Sequence, residues 1–366
     1  MNGGIVMAAQ FRRMAMWTWP GAVYNEHPQR MVERLQEGHV DIVIPYICGQ
    51  RDGHTCWTAE EYDERLRAII EEAHRADMKV HACFDEVNAY RAMPVYDLRQ
   101  VRKDGSIGSV LCHANPAVVD YVLDKLRWTL AEFDCDGINL EDGYIFNQNT
   151  IYDPAHTTGE LFQVVPVCYC SYCQEHAPIE KPEWAQWKQE QLTALIAAES
   201  ALVRKQKPGA PFSVAARMPY DRSFYAPHKQ EVPYFDGWEV CQSRDALMAD
   251  WAAWLRRGHI DFACPMSYFH SRRLVELETQ ECRHLSPTAA NDIWIGLGLG
   301  ECTAEYRQGN GDDPATENAK DPALRNDGAA IEALLLDQLR VGQEKVVFFS
   351  YEHLLDEHLS VMARYR

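Results

Sequence analysis

Eight short, apolar, β-rich runs punctuate the chain at residues 14–18, 41–46, 79–84, 137–140, 212–216, 261–266, 292–297 and 345–350, with longer amphipathic stretches between them. Strands joined through helices lie parallel, because a parallel pair needs a crossover connection rather than a tight turn. Eight is the number that closes a (β/α)8 TIM barrel, so residues 1–366 read as one α/β barrel domain.

The intervening stretches carry helix signals. Thr58-x-x-Glu61 has the form of a capping box, and Tyr62, Leu66, Ile69, Ile70 and Ala73 then share a face. Asn115-Pro116 offers a cap and a first-turn proline ahead of a stripe of Val119, Val122, Leu123, Leu126, Leu130 and Phe133. Pro182 opens a long helix running to Gly209. Leu247, Trp251, Trp254 and Leu255 make a further stripe, as do Ile331, Leu334, Leu335 and Leu339. Trp128, Trp251 and Trp254 fall on helix stripes and read as core.

One internal echo fits a closed, repeating architecture. Gly38-His39-Val40-Asp41 precedes the second strand, and Gly258-His259-Ile260-Asp261 precedes the sixth. A minimal barrel takes ~250 residues, leaving roughly 110 for loops. They concentrate at 141–181, 217–243 and 301–327, after strands four, five and seven, which puts them on the C-terminal face where barrel enzymes do their chemistry. The run from Gly309 to Pro314 is polar enough to serve as a lid.

Composition removes several functions. A net charge of −18, with no local Lys/Arg cluster, argues against nucleic acid. No apolar run reaches the ~18 residues that cross a bilayer, and Met1–Ala8 lacks the pattern of a signal peptide. Twelve cysteines spread through a large chain suit reduced thiols and a metal site, which makes the cytoplasm the expected compartment.

The most specific local signal is Cys168-Tyr169-Cys170-Ser171-Tyr172-Cys173. Three thiols this close in a polar loop suit tetrahedral zinc, in a structural site more than a catalytic one. Residues 143–181 are then a cysteine-containing, zinc-binding loop insertion. Cys112, His113 and His176 are candidates for the fourth ligand.

Three segments follow one another in order: Leu111-Cys112-His113-Ala114-Asn115-Pro116, Asp136-Gly137-Ile138-Asn139-Leu140-Glu141-Asp142, and the cysteine triplet. Over residues 79–270 this order resembles the hypothetical glycosyl-hydrolase-like barrels. It is also similar to the family 42 beta-galactosidases, where one upstream cysteine joins such a triplet around zinc. That resemblance implies Cys112 as the fourth ligand beside Cys168, Cys170 and Cys173. It also implies a barrel acting on carbohydrate, and the relatives often self-associate, so a homo-oligomer is one expectation. Two positions depart from the pattern: Asn115-Pro116 stands where the family has Ser-Pro, and Glu141 where it has aspartate.

Glycoside cleavage needs two carboxyl groups flanking the scissile bond. Those just past the strands are Asp85 and Glu86, Glu141 and Asp142, Glu301 and Glu352. Strands four and seven lie across the barrel mouth from one another, which favours Glu141 as acid/base and Glu301 as nucleophile, the arrangement of many retaining barrel glycosidases. In fucosidase-like relatives the nucleophile ends strand four, a role that would fall to Glu141 or Asp142. Asp85, Glu86, Glu352, Arg217 and Tyr268 could bind substrate, and Trp17 and Trp19 could stack on sugar C–H faces. Two alternatives remain: a metal-dependent hydrolase or lyase using His81 and Asp85, and a carbohydrate-binding barrel without catalysis.

Overall fold

The structure, a computed structural model, describes residues 10–47, 59–85, 94–141, 168–233, 241–268, 272–299 and 327–366. In chain order the strands are β1 (Arg13–Thr18), β2 (Ile42–Ile47), β3 (Lys79–Phe84), β4 (Arg99–Val101), β5 (Ile107–Leu111), β6 (Gly137–Leu140), β7 (Phe212–Ala216), β8 (Phe262–Ser267), β9 (Ile295–Gly298) and β10 (Lys345–Phe349). Eight of them close a parallel barrel in the order β1-β10-β9-β8-β7-β6-β3-β2. These eight are the runs marked by the sequence, three with identical ends and the rest with ends moved by at most three residues. β4 and β5, an antiparallel hairpin between the third and fourth barrel strands, were not expected.

Alternation along the strands sorts side chains into two cores. Met14, Met16, Val43, Val80, Ala82, Ile138, Leu140, Val214, Ile295 and Phe348 face the surrounding helices. Ala15, Trp17, Ile42, Ile44, Tyr46, Cys83, Ala215, Phe262, Cys264, Trp294 and Val347 fill the barrel, with Trp19, Met266 and Phe349 packed against them. Two glycines make room inside. A Cβ on Gly137 would stand 2.8 Å from the His81 ring and 2.9 Å from the Pro211 carbonyl, and one on Gly296 would stand 3.2 Å from the Trp17 indole.

The outer layer comprises α1 (Pro20–Asn25), α2 (Pro28–Glu37), α3 (Ala59–Arg75), α4 (Pro116–Glu132), α5 (Ser171–His176), α6 (Trp184–Gln206), α7 (Arg222–Tyr225), α8 (Trp251–Arg256), α9 (Arg272–Leu285), α10 (Gly328–Arg340) and α11 (Asp356–Arg364). Asn115 caps α4 as read, its Oδ1 accepting from the Ala117 amide at 3.0 Å. The buried stripe of α4 runs through Val118, Val122, Leu126 and Thr129, a slight rotation from the expected one. That rotation leaves Trp128 43% exposed rather than in the core. Lys125 lies 5.0 Å from its ring centroid. The long helix begins at Trp184, two residues after Pro182, and ends at Gln206. Thr58 and residues 309–314 lie outside the described residues.

The echo before the second and sixth strands has a physical core in its aspartates. Asp41 Oδ2 accepts from the Met14 amide at 2.8 Å. Asp261 Oδ2 accepts from Phe212 at 2.8 Å, and Asp136 Oδ2, before the fourth barrel strand, accepts from Val80 at 2.9 Å. Each carboxylate ties the first residues of a strand to its neighbour, satisfying an amide the ladder leaves open. The Gly-His pairs do not superpose: the left-handed residue is His39 in one turn (φ 53°) and Gly258 in the other (φ 68°).

Candidate active site and cysteine centre

Because all eight strands run parallel, their C-terminal ends share one rim. The parity that sends Cys83 and Asn139 inward also sends Asp85 and Glu141 inward, two residues further on. Cys83 pairs with Asn139 in register, so Asp85 and Glu141 stand side by side on neighbouring strands. Each is held from the strand before it. Tyr46 Oη on β2 donates to Asp85 Oδ2 in a short hydrogen bond, and Cys83 Sγ on β3 lies 3.1 Å from Glu141 Oε2. Asp85 is buried and Glu141 half-buried.

Beneath them lies a polar bridge. Trp17 Nε1 donates to Asn139 Oδ1 at 2.9 Å, and Asn139 Nδ2 donates to Ser213 Oγ at 2.9 Å. Trp17 is thus buried as the floor of the mouth, seated over Gly296. Trp19 is half-buried at the rim, its ring 4.9 Å from Tyr46 and 5.6 Å from Phe349. Tyr268 stacks on Phe349 with ring centroids 5.1 Å apart. The result is a collar of aromatic contacts at the rim that reaches Asp85 through Tyr46. Arg217 follows β7 on the inward parity and is half-buried.

Other predicted residues behave differently. Glu352 Oε1 accepts from the amides of Trp19 at 2.8 Å and Ala22 at 3.0 Å, capping the first turn of α1. Glu86, Asp142 and Glu301 lie outside the described residues. His81 sits four residues below Asp85 along β3, about 13 Å down the strand. There it packs 5.9 Å from the Phe262 ring, and burial lowers its pKa to about 4. It belongs to the barrel interior and not to the rim. Tyr46 is the site residue that sequence reasoning missed; its signal was its inward parity with Ile42 and Ile44, one strand from Asp85.

The cysteine cluster forms on loops that leave the C-terminal ends of β3 and β6, which are adjacent strands. Cys112, Cys168, Cys170 and Cys173 place their sulfurs within 4.8 Å of one another. Cys112 lies 3.5 Å from Cys173 and 3.6 Å from Cys170. Four thiolates at about 2.3 Å from a tetrahedral metal are spaced about 3.8 Å apart, so the donor set fits one mononuclear ion. Amides already point at one sulfur: Cys168 Sγ accepts from Val101 at 3.1 Å and Cys170 at 3.3 Å. Crowding divides the thiols. Cys168 and Cys170 are pushed down, each chiefly by Cys112, while Cys112 is pushed up chiefly by Cys168, and Cys173 chiefly by Cys112.

The other candidates for a fourth ligand are not in the cluster. His113 is fully buried, and desolvation lowers its pKa to about 3. His176 packs against Tyr172 at 4.3 Å and faces Glu175 at 3.7 Å. All nine described cysteines are free thiols. No helix among the described residues is long and apolar enough to cross a membrane.

Solved structures with this fold are numerous. The glycoside hydrolase domain of PgaB (BpsB) from Bordetella bronchiseptica aligns with a TM-score of 0.61 and 10% identity, over 96% of this chain and 97% of that one. The C-terminal domain of a putative chitinase from Desulfitobacterium hafniense DCB-2 gives a TM-score of 0.57 and 11% identity over 98% and 99%. A beta-galactosidase from the psychrophilic Marinomonas ef1 gives 0.58 and 9% over 96% of this chain and 58% of that one. At such identities the likeness is one of fold. Comparison of the sequence with curated proteins finds no match. Residues 48–308, more than half the chain, match the model of one family, described as Glycosyl hydrolase-like 10. The chain belongs to the glycosyl hydrolase-like 10 family.

Proposed function

We propose that this barrel is a glycoside hydrolase whose chemistry occurs at the C-terminal rim, with Glu141 as acid/base. The observation that carries the reading is Glu141 itself: a carboxyl at the end of the fourth barrel strand, turned inward in register with Asp85, at a rim where Trp19, Tyr46, Tyr268 and Phe349 make aromatic contacts with one another. A sugar ring entering the collar meets aromatic faces suited to its C–H surface, with carboxylates at its edge. Glu301, past the seventh barrel strand, is the nucleophile of this proposal. Asp142 stands next to the acid/base as the alternative acid on strand four. Asp85, Glu86, Arg217 and Tyr268 would bind sugar hydroxyls, and Trp17 would support the floor.

The substrate is a carbohydrate with O-glycosidic linkages. The four cysteines hold zinc in this reading, as a closed structural site: four protein ligands leave no open position for catalysis. Residues 143–181 form the insertion that brings three of them to Cys112. Membership in a glycosyl hydrolase-like family supports the reading, and a net charge of −18 disfavours nucleic acid.

The test is Glu141→Gln assayed on a broad panel of glycosides together with direct sugar binding. Loss of kcat by about 10²–10⁴ with binding retained is expected. An unchanged rate would move the chemistry elsewhere, and a wild-type chain that binds sugars without cleaving any would make this a binding barrel.

A further inference from the structure

Arg217 and Tyr268 are the inward residues just past β7 and β8, and the chain beside each is held from outside the barrel by α9. Alternation turns their neighbours Met218 and Ser267 outward, toward that helix. Ser267 Oγ donates to Glu278 Oε2 in a short hydrogen bond. Glu281, one turn on, accepts from the amides of Tyr220 at 3.1 Å and Asp221 at 2.7 Å, and from Tyr225 Oη at 2.8 Å. Cys282 Sγ, beside Glu281, lies 4.0 Å from Met218 Sδ. The segment after β7 depends on such holding. Tyr220 has a left-handed backbone (φ 50°), which persists only where its surroundings fix it. Trp251 Nε1 on α8 adds a hydrogen bond to the Arg217 carbonyl at 3.1 Å. Glu278 and Glu281 are 0% and 1% exposed. Packing alone would be served at these positions by apolar side chains, at less cost than two buried carboxyls.

We propose that Glu278 and Glu281 are a positioning pair for the sugar site, setting the direction of Arg217 and Tyr268 through the backbone beside them. The inference rests on reading the rim as a glycoside site, and goes beyond that reading by assigning residues that touch no sugar. The donors divide the roles within the pair. Three converge on Glu281, which suits a carboxylate, and one reaches Glu278, which suits the acid form. The pair also faces the Tyr220 phenol, the Asp221 carboxylate and the Cys282 thiol, and burial favours the proton on both carboxyls. A second negative charge one turn from the first, in the same buried space, would drive α9 away from the two strand exits.

The full chain is compared with Glu281→Leu, Glu281→Gln and Glu278→Gln. Hydrogen exchange at the Tyr220 and Asp221 amides reads the pair without any sugar. Glu281→Leu should lower protection there about tenfold, and Glu281→Gln, which keeps an acceptor, should restore most of it. As pH rises from 6 to 9, protection in wild type should fall and that in Glu278→Gln should stay level. Kinetics use the panel glycoside that wild type cleaves best. Glu281→Leu should raise KM about tenfold with kcat within about threefold, since the groups it displaces bind the sugar and do not react with it. Protection that ignores all three substitutions would overturn the pair, as would a loss confined to kcat. A wild-type chain that cleaves no glycoside would remove the reading of the site and this inference with it. Should Glu281→Leu fail to fold, the same pH dependence of protection in wild type and Glu278→Gln overturns the proposal.

Discussion

Asn139 shows how much one inward residue carries. Its amide joins the Trp17 indole and the Ser213 hydroxyl across the barrel floor. Asn139→Leu leaves the Trp17 N–H buried without its acceptor and Ser213 Oγ without its donor, and a loss of about 1–3 kcal/mol is expected by denaturant unfolding. Gly137 is constrained from the other direction, since a Cβ there meets the His81 ring and the Pro211 carbonyl at under 3 Å. Gly137→Ala is expected to destabilise by about 1–3 kcal/mol, read as a lower unfolding midpoint. The sequence marked both residues through the Asp-Gly-Ile-Asn segment. It gave no sign of their partners, because Trp17 lies 122 residues from Asn139 and is reached only when the barrel closes.

The elements were legible to different degrees for physical reasons. The barrel strands are buried on both sides, so they read as continuous apolar runs. The β4–β5 hairpin was invisible: Arg99–Val101 and Ile107–Leu111 are short and half-polar, and the hairpin meets the cysteine segment through the Val101 amide on Cys168 Sγ and the Tyr169 amide on the Val101 carbonyl. α9 carries a feature no pattern announced, three buried carboxyls, of which Glu276 faces Arg273 and Arg340. Glu278 accepts from Ser267 Oγ, and Glu281 accepts from the Tyr220 and Asp221 amides and from Tyr225 Oη at 2.8 Å. Burial raises their pKa values to about 8 and about 7 from 4.5. A carboxyl whose pKa rises on folding favours the fold while it is protonated. Stability should therefore fall as pH climbs from about 4.5 through 8. Glu278→Gln is expected to raise the unfolding midpoint at pH 8.5 by a few degrees and to flatten its pH dependence. A midpoint with the wild-type pH dependence would mean that Glu278 ionises elsewhere than in this packing.

At the scale of the molecule, strand count and crossover length specified a closed barrel, and parallel strands put the candidate acids among the described residues, Asp85, Glu141 and Glu352, at the same end of it. What the sequence could not supply was direction. Period-2 alternation sends Asp85 and Glu141 into the mouth, whereas Glu352 turns out to cap α1. A structural metal, if the cysteines hold one, makes stability conditional: chelation should lower the thermal midpoint of the chain, and a loss of rate at an unchanged midpoint would contradict a structural role. The central claim is that Glu141 reaches the scissile bond, and it is tested most directly by a crystal structure of the Glu141→Gln chain with a cleavable oligosaccharide bound. The account predicts a sugar inside the aromatic collar, with the residue-141 amide within hydrogen-bond reach of a glycosidic oxygen, about 2.6–3.2 Å. An oligosaccharide lodged away from the rim, or seated there with Glu141 beyond reach of any glycosidic oxygen, would contradict it.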